Sequence, residues 1–339
     1  MSKTDSEKQL AKLISESKKI LIIQADNPDG DSLGSALALE EILSDQGKQV
    51  FLYCRIDIPS YLKYLKGWDR VERELPKDFD LSILVDCSSL TLLENSSKNG
   101  DLNHFRKKPL IILDHHQIDG DNLIDFATVS IIEKLPATGE LIYNLAKKIG
   151  YKVNQDAATA IAVAIMSDTL GLTTKNTTAN TFRLVAELVD IGVDLTYLDE
   201  ARRNLNRKSP ELIEYKGRLL QRIEFYRNNS ISIITIPWAE IQKYSNAYNP
   251  SMLVMEDMRL GEGTMIAIAF KCYQDGRITA KIRSNLNAPI ARDLAEHFEG
   301  GGHVYSSGFK IDAKSKQSID KIKSDCIKYT SELLDKLEI

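Results

Sequence analysis

Cysteine is scarce in this chain: four in 339 residues, at positions 54, 87, 272 and 326, with no Cys-x-x-Cys pair among them. Neither a zinc knuckle nor a disulfide framework is expected, and a reducing compartment fits. Cys87 reads as a small buried residue, since a free thiol usually packs as a hydrophobe. No apolar run approaches the ~20 residues of a membrane span, and the stretch from Met1 to Lys8 has no apolar signal core. A cytoplasmic chain with no membrane partner is the expectation. A basic surplus is also missing. The formal net charge is -4, which disfavours the non-specific grip on long duplexes that phosphate neutralisation requires. Any nucleic-acid substrate should therefore be short and held in a local pocket. There is no internal repeat and no low-complexity tract. What is present, 43% hydrophobic and 27% charged residues, is ordinary for a globular protein, and the length suffices for two domains of ~100–200 residues.

Histidine is rare as well, five in all, yet His115, His116 and His303 lie in sharp local motifs. Leu110 to Leu113 is an apolar run of strand length that stops at Asp114-His115-His116. A buried strand ending this way puts metal-binding groups on a sheet's carboxyl edge, where open α/β sheets place their sites. Ile20 to Ile23 leads likewise into Asn27-Pro28-Asp29-Gly30-Asp31, and Leu81 to Val85 into Asp86. Asp29 and Asp31 have two readings: turn acids that cap a helix, or a pair that suits adjacent hard cations. Asp86 has the same alternatives. Adjacent histidines after a buried strand are hard to explain by packing. Ala157 to Met166 reads as a buried helix ending in Ser167-Asp168-Thr169, and an acid there is costly unless paired or metal-bound.

The pattern predicts a helix from about Ser6 to Ser17, strand one from Ile20 to Gln24, a helix from Ser32 (its N-cap) to Gln46, and a strand from Gln49 to Cys54. This βαβ opening implies a parallel sheet. A strand from Ala127 to Glu133 precedes a helix capped by Thr138, where Gly139 permits close backbone approach. Residues from Leu195 to about Ile223 read as helices broken near Ser209-Pro210, a connector between domains, and the charge run Arg202, Arg203, Arg207 and Lys208 reads as a solvated face. Beyond Tyr226 come strands at Ser230–Ile236, Gly263–Tyr273 and Arg277–Arg283, with Asp275-Gly276 as a hairpin turn. A helix at Ile290–Phe298, the run Glu299-Gly300-Gly301-Gly302-His303, a strand near Gly308–Ile311 and a helix at Ile319–Leu337 complete it. Antiparallel strands with helices on one face are expected in this second domain. The fold class is thus α/β: a mostly parallel-sheet N-terminal domain (1–195), a helical linker (196–226) and a smaller α+β C-terminal domain (227–339).

Taken in order, Pro28 to Ser35, Asp86, Asp114-His115-His116, Ser167-Asp168-Thr169, and then Arg283-Ser284 with Gly300-Gly301-Gly302-His303 resemble the motifs of the DHH phosphoesterase superfamily over nearly the whole length. Within it the chain looks like the nanoRNase and phosphoadenosine-phosphate phosphatase branch, with its DHH-associated C-terminal domain. The resemblance implies two Mn²⁺ ions, with Mg²⁺ as an alternative. Asp29 and Asp86 would hold one, Asp31, Asp86, His115 and Asp168 the other, so that Asp86 bridges. His116 would face the phosphate, and Asp114 would orient a histidine. Asp86, His116 and Asp114 are thus the catalytic expectation. Arg283, Ser284, Gly300, Gly301, Gly302 and His303 would bind substrate, a short RNA or 3′-phosphoadenosine 5′-phosphate. Two departures stand out. Ala25 occupies the place of a ligand histidine, with Asp26 or Gln24 as the available substitutes, and Glu299 stands where a further glycine is common. A catalytically impaired nucleotide-binding protein and a cyclic-dinucleotide phosphodiesterase are the alternative expectations. The oligomeric state is left open.

Overall fold

Short apolar runs without polar alternation suit strands buried on both faces, as in a parallel sheet. The computed structural model, which describes residues 3–116 and 123–337, uses them that way in the first of two units, Met1–Arg207 and Lys208–Ile339. The strands of the first unit are β1 (Lys19–Ile23), β2 (Gln49–Tyr53), β3 (Val71–Glu72), β4 (Leu81–Val85), β5 (Leu110–Asp114) and β6 (Val129–Ile132). Every neighbouring pair is parallel, in the order β3-β2-β1-β4-β5-β6. β4 and β5 are buried at every position. The order reverses between β1 and β4, so the connections leaving these adjacent strands diverge and open a crevice at their carboxyl ends.

Helices α1 (Lys3–Glu16), α2 (Gly30–Ser44), α3 (Glu94–Lys98), α4 (Leu102–Phe105), α5 (Thr138–Ile149), α6 (Gln155–Asp168), α7 (Ala179–Ile191) and α8 (Leu195–Leu205) complete this unit. On one sheet face, Ile20, Ile22, Ile83 and Leu113 pack with Leu10, Leu37, Ile142 and Ile161. On the other, Leu21, Ile23, Leu84 and Ile112 pack with Leu93 and Phe105. Ala25 and the Cys87 side chain are buried in that second cluster. Two expected caps are corrected. α2 begins at Gly30, and its N-cap is Asp29, whose carboxylate accepts from the N–H groups of Asp31 and Ser32, both at 3.0 Å. Ser32 lies inside the first turn, too late to cap. Thr138 is likewise the first residue inside α5 rather than its cap. α6 is longer than expected, starting at an Asn154 cap and reaching Asp168.

Small residues let α2 and α6 approach at backbone distance. A Cβ on Gly34 would lie 2.6 Å from the Ala160 carbonyl oxygen, and one on Gly30 would lie 2.4 Å from Ser167 Oγ. A Cβ on Gly139 would meet Ala164 Cβ at 2.5 Å. This close packing brings the first turns of α2 and α5 to the last turn of α6.

The second unit contains α9 (Pro210–Leu220), β7 (Glu224–Tyr226), β8 (Ile231–Ile236), α10 (Trp238–Tyr244), α11 (Pro250–Arg259), β9 (Ile266–Cys272), β10 (Ile278–Ser284), α12 (Ala291–His297), β11 (Gly301–His303), β12 (Ser306–Ile311) and α13 (Ile319–Lys336). Its sheet runs β11-β12-β10-β9-β8-β7. The expectation of an antiparallel sheet covered on one face is corrected twice. β8 and β9 are parallel, because α10 and α11 form the crossover that a parallel pair needs. Helices also pack on both faces: Leu294, Ile322 and Leu334 on one, Leu219, Ile241 and Val254 on the other. The connector stretch 196–226 is shared out. α8 belongs to the first unit, while α9 buries Leu212, Tyr215 and Leu219 in the second.

Candidate functional site

The loops that leave β1, β4 and β5 converge in the crevice of the first unit. Asp86 follows β4 directly, with φ of 56°, a left-handed conformation that Asp tolerates better than most residues. Its side chain is buried, and Oδ1 accepts from the Thr138 hydroxyl at 3.1 Å. Asp31 is fully buried. Oδ2 accepts from the Thr138 N–H at 2.6 Å, and Oδ1 from the Gly139 N–H at 3.0 Å and the Ser35 hydroxyl at 3.1 Å. Asp31 thus does from a distance what no side chain at Ala137 can: it satisfies two of the orphan donors of α5. Asp168 is the last residue of α6. A carboxylate at a helix carboxyl end opposes the macrodipole, an unfavourable contact that a cation beside it would offset.

His115 supplies the centre of this geometry. Its Nδ1 bonds the Leu135 carbonyl at 3.0 Å, so Nδ1 carries the proton and the neutral ring presents Nε2 as a lone pair. Nε2 is buried and has no hydrogen-bond partner among the described residues. It lies 3.2 Å from Asp168 Oδ2, 3.4 Å from Asp86 Oδ1 and 3.6 Å from Asp31 Oδ2. One unpartnered imidazole nitrogen facing three carboxylates is a donor set for a divalent cation. Asp31, His115 and Asp168 form one such group, and Asp86, His115 and His116 a second. With protons alone, burial drives Asp31 well above the usual carboxylate range, and repulsion from Asp86 and Asp168 adds to it. Burial pushes Asp86 up to about 6. Burial works against a charged His115, but Asp168, Asp86 and Asp31 overcome it and carry the ring to about 11.

A stability test follows from these shifts. Asp86 rises from 3.8 and His115 from 6.5, so the folded protein holds both protons more tightly than the unfolded chain. That contribution is full below the unfolded values and is lost as pH rises through the folded ones. Chelated protein should therefore melt at lower temperature at about pH 8.5 than at about pH 6, and the gain from added Mn²⁺ should widen over that window. Melts in chelator and in metal check this; a gap that stays constant would contradict it.

Asp114 and His116 form a second arrangement. Asp114 is fully buried, and its Oδ1 accepts from the N–H groups of His115 (2.7 Å) and His116 (3.1 Å) and from His116 Nδ1 (2.8 Å). The Asp114 bond raises the His116 pKa and fixes its tautomer, leaving Nε2 for another partner. Asp29 stands outside both ligand groups, one of its oxygens engaged in the α2 cap. Ala25 offers no donor. Asp26, one expected substitute, is committed to α3: it accepts from the Asn95 and Ser96 N–H groups and from the Ser96 hydroxyl. Gln24 is fully buried, and neither amide atom has a partner among the described residues. Beside the carboxylates, a cleft of about 610 Å³ is lined by Gly30, Tyr61, Tyr64, Met166, Ser167 and Leu170, among others.

In the second unit Arg283 and His303 flank Ser306 on adjacent strands. Ser284 does not join them. It is buried on the other side of β10 and donates to the Val304 carbonyl at 3.1 Å. The glycine run is an edge strand rather than an open loop. Gly300 and Gly302 pack against the β12 backbone, where a Cβ would come within 2.3 Å of the Gly308 carbonyl and 2.6 Å of the Ser306 carbonyl, while Gly301 is open. Glu299 has φ of 59°, which explains why glycine suits that position.

Thr138 and Gly139 act at the site without having been marked for it. Their signal was the small pair opening a helix, which the sequence ties to neither aspartate. Fold and cluster together define a class: a doubly wound α/β domain with carboxylates and imidazoles clustered at its switch point. Residues 19–165 match the DHH family, N-terminal domain. It is 25% identical over 283 residues to the bifunctional oligoribonuclease and PAP phosphatase NrnA of Thermus thermophilus, covering 83% of this chain and 81% of that protein. It is 24% identical to the Bacillus subtilis protein of the same name over 324 residues, covering 94% and 96%. Among solved structures, an exopolyphosphatase-related protein from Bacteroides fragilis superposes with a TM-score of 0.77 at 22% identity, covering 98% of this chain and 99% of that one.

Proposed function

We propose that the protein is a metal-dependent phosphoesterase that hydrolyses short oligoribonucleotides, 3′-phosphoadenosine 5′-phosphate, or both. The observation that carries this is His115 Nε2, unpartnered and facing Asp31, Asp86 and Asp168. These four residues would hold one cation, and Asp86 with Asp29 a second. Mn²⁺ suits the mixed carboxylate and imidazole set, and Mg²⁺ is the alternative. Such ions supply a more acidic water and neutralise phosphoryl oxygens. The chain's own groups do the rest. The N–H groups of α5 fix Asp31 so that it does not reorganise. Asp114 orients His116 and favours its protonated form, in which Nε2–H can donate to a phosphoryl oxygen or a leaving oxygen. Tyr61 and Tyr64 offer flat apolar surface for a base in the cleft beside the carboxylates. The second unit serves as the substrate-binding domain, with Arg283, His303 and the Gly301 backbone as anion donors. A cytoplasmic location suits such substrates.

Purified protein with Mn²⁺ should release mononucleotide from a diribonucleotide or phosphate from the bisphosphate. If it does neither, the proposal fails. A cyclic dinucleotide in the same panel separates the third substrate class. Ala25, buried among apolar side chains, together with the committed Asp26, favours a second reading, an impaired nucleotide-binding protein. That reading requires one metal per chain and no turnover, so elemental analysis of the same preparation decides between them.

A further inference from the structure

The sheet of the second unit has one face that its helices cover only in part. Side chains alternate along a strand, and Ile278, Ala280 and Ile282 of β10 and Ile266, Ile268 and Phe270 of β9 lie in the core with α12 and α13. Lys281, Arg283 and Lys271 therefore lie on the opposite face. Lys271 pairs with Thr279, Lys281 with Ala269 and Arg283 with Ala267. Arg283 and Lys281 are separated along β10 by about 6.6–6.8 Å, and Lys271 is the diagonal neighbour of Lys281, about 7–8 Å away. Toward β12 the floor is small: Gly308 opposite Lys281 and Ser306 opposite Arg283.

All three cations are half-buried. Neither lysine has an ion pair or hydrogen bond among the described residues, and carboxylates on nearby elements are taken: Glu256 by Arg259, Asp312 by Lys310 and Asp275 by Arg277. Burial lowers the pKa of each of the three, and each feels the next: Lys271 feels Lys281, Lys281 feels Arg283, and Arg283 feels Arg259. A row of half-buried like charges without counter-ions is unfavourable by itself and is relieved by an anion of matching repeat.

We propose that Arg283, Lys281 and Lys271 form a track for successive phosphates of a single-stranded oligonucleotide, so that the two lysines read chain length beyond the first phosphate. This deepens the proposed function and rests on its assignment of Arg283 as a phosphate donor. A polyanion with regular spacing fits the row; a single phosphate would satisfy only one member. The backbone of a single strand is the occupant, since strand-tracking proteins use such rows of cations.

The test is equilibrium binding by fluorescence anisotropy. Labelled oligoriboadenylates of two and five nucleotides are titrated with full-length protein carrying Asp86→Asn to stop turnover, in Mn²⁺. The readout is the ratio of the two dissociation constants. Lys271→Gln with Lys281→Gln should cut the pentamer's advantage over the dimer by about tenfold, and should lower the pentamer's salt slope by about 0.7 per lysine. Lys271→Arg with Lys281→Arg should retain both, which guards against a merely misfolded variant. An unchanged ratio, or equal weakening of dimer and pentamer, would overturn the track. Competition by inorganic tripolyphosphate as strong as by unlabelled pentamer would overturn its assignment to an oligonucleotide. Wild-type protein with the same oligomers reports separately on the parent proposal: no mononucleotide release defeats the activity, while the binding ratio still decides the track.

Discussion

Asp86→Asn is expected to lower kcat on the best substrate by a factor on the order of 10³ or more, with the fold intact. Removing one preorganised electrostatic group from an active site already costs about 10²–10³. Asp86 takes part in more than one such arrangement: it faces His115 Nε2 at 3.4 Å and His116 Nδ1 at 3.6 Å, and accepts from Thr138 at 3.1 Å. Asparagine is the informative substitute because it too tolerates the left-handed backbone that Asp86 adopts at φ of 56°. Charge is therefore removed without adding strain. The metal-free variant should also melt at higher temperature than metal-free wild type at neutral pH, because one of the clustered acids is gone. This is the trade between stability and activity expected of a site built from like charges. Steady-state kinetics with Mn²⁺ and melts in chelator give both readings. A variant with more than about a tenth of wild-type kcat would show that Asp86 is not shared by the chemistry.

Gly34→Val should produce the largest loss of stability, about 3 kcal/mol or more. The new Cβ would sit 2.6 Å from the Ala160 carbonyl oxygen and 3.0 Å from the Ala164 N. Both are backbone atoms inside α6, so no side chain can swing away. Relief requires α2 and α6 to move apart, and these helices carry Asp31 and Asp168. Metal affinity should therefore fall together with the urea midpoint, although Gly34 touches no ligand. Unchanged metal affinity in a folded, destabilised variant would show that the two helices are not what fixes the ligand spacing.

The strands of the first unit were legible because each is an apolar run closed by a polar turn. Asp31, Asp86, His115 and Asp168 were marked in advance since acids and an imidazole at the ends of buried elements are costly without a partner. Their convergence was not legible. β3-β2-β1-β4-β5-β6 is one of many orders that the same strands could take, and it is the tertiary fold that sets β1 beside β4. Capping was misassigned at Ser32 and Thr138 for a related reason. A local motif shows which residue is able to cap, but not that Asp31 reaches the N–H groups of Thr138 and Gly139 from 107 and 108 residues away. The parallel β8–β9 pair escaped notice because α10 and α11 are short and weakly patterned. Ser284 looked available next to Arg283, yet neighbours on a strand point to opposite faces.

The sequence by itself determined which groups stand at three strand ends and one helix end: carboxylates and imidazoles, costly to bury without a partner. That much follows from residue type, which is local, whereas the absent donor at Ala25 and the anion-binding expectation for Arg283 and His303 rested on the family resemblance. Tertiary structure decided which of these groups meet. It set His115 Nε2 between three carboxylates, spent Asp26 on α3 and Ser284 on Val304, and aligned Lys281 and Lys271 with Arg283. Such choices depend on strand order, register and the distance between α2 and α6, and these are settled by packing across the whole unit.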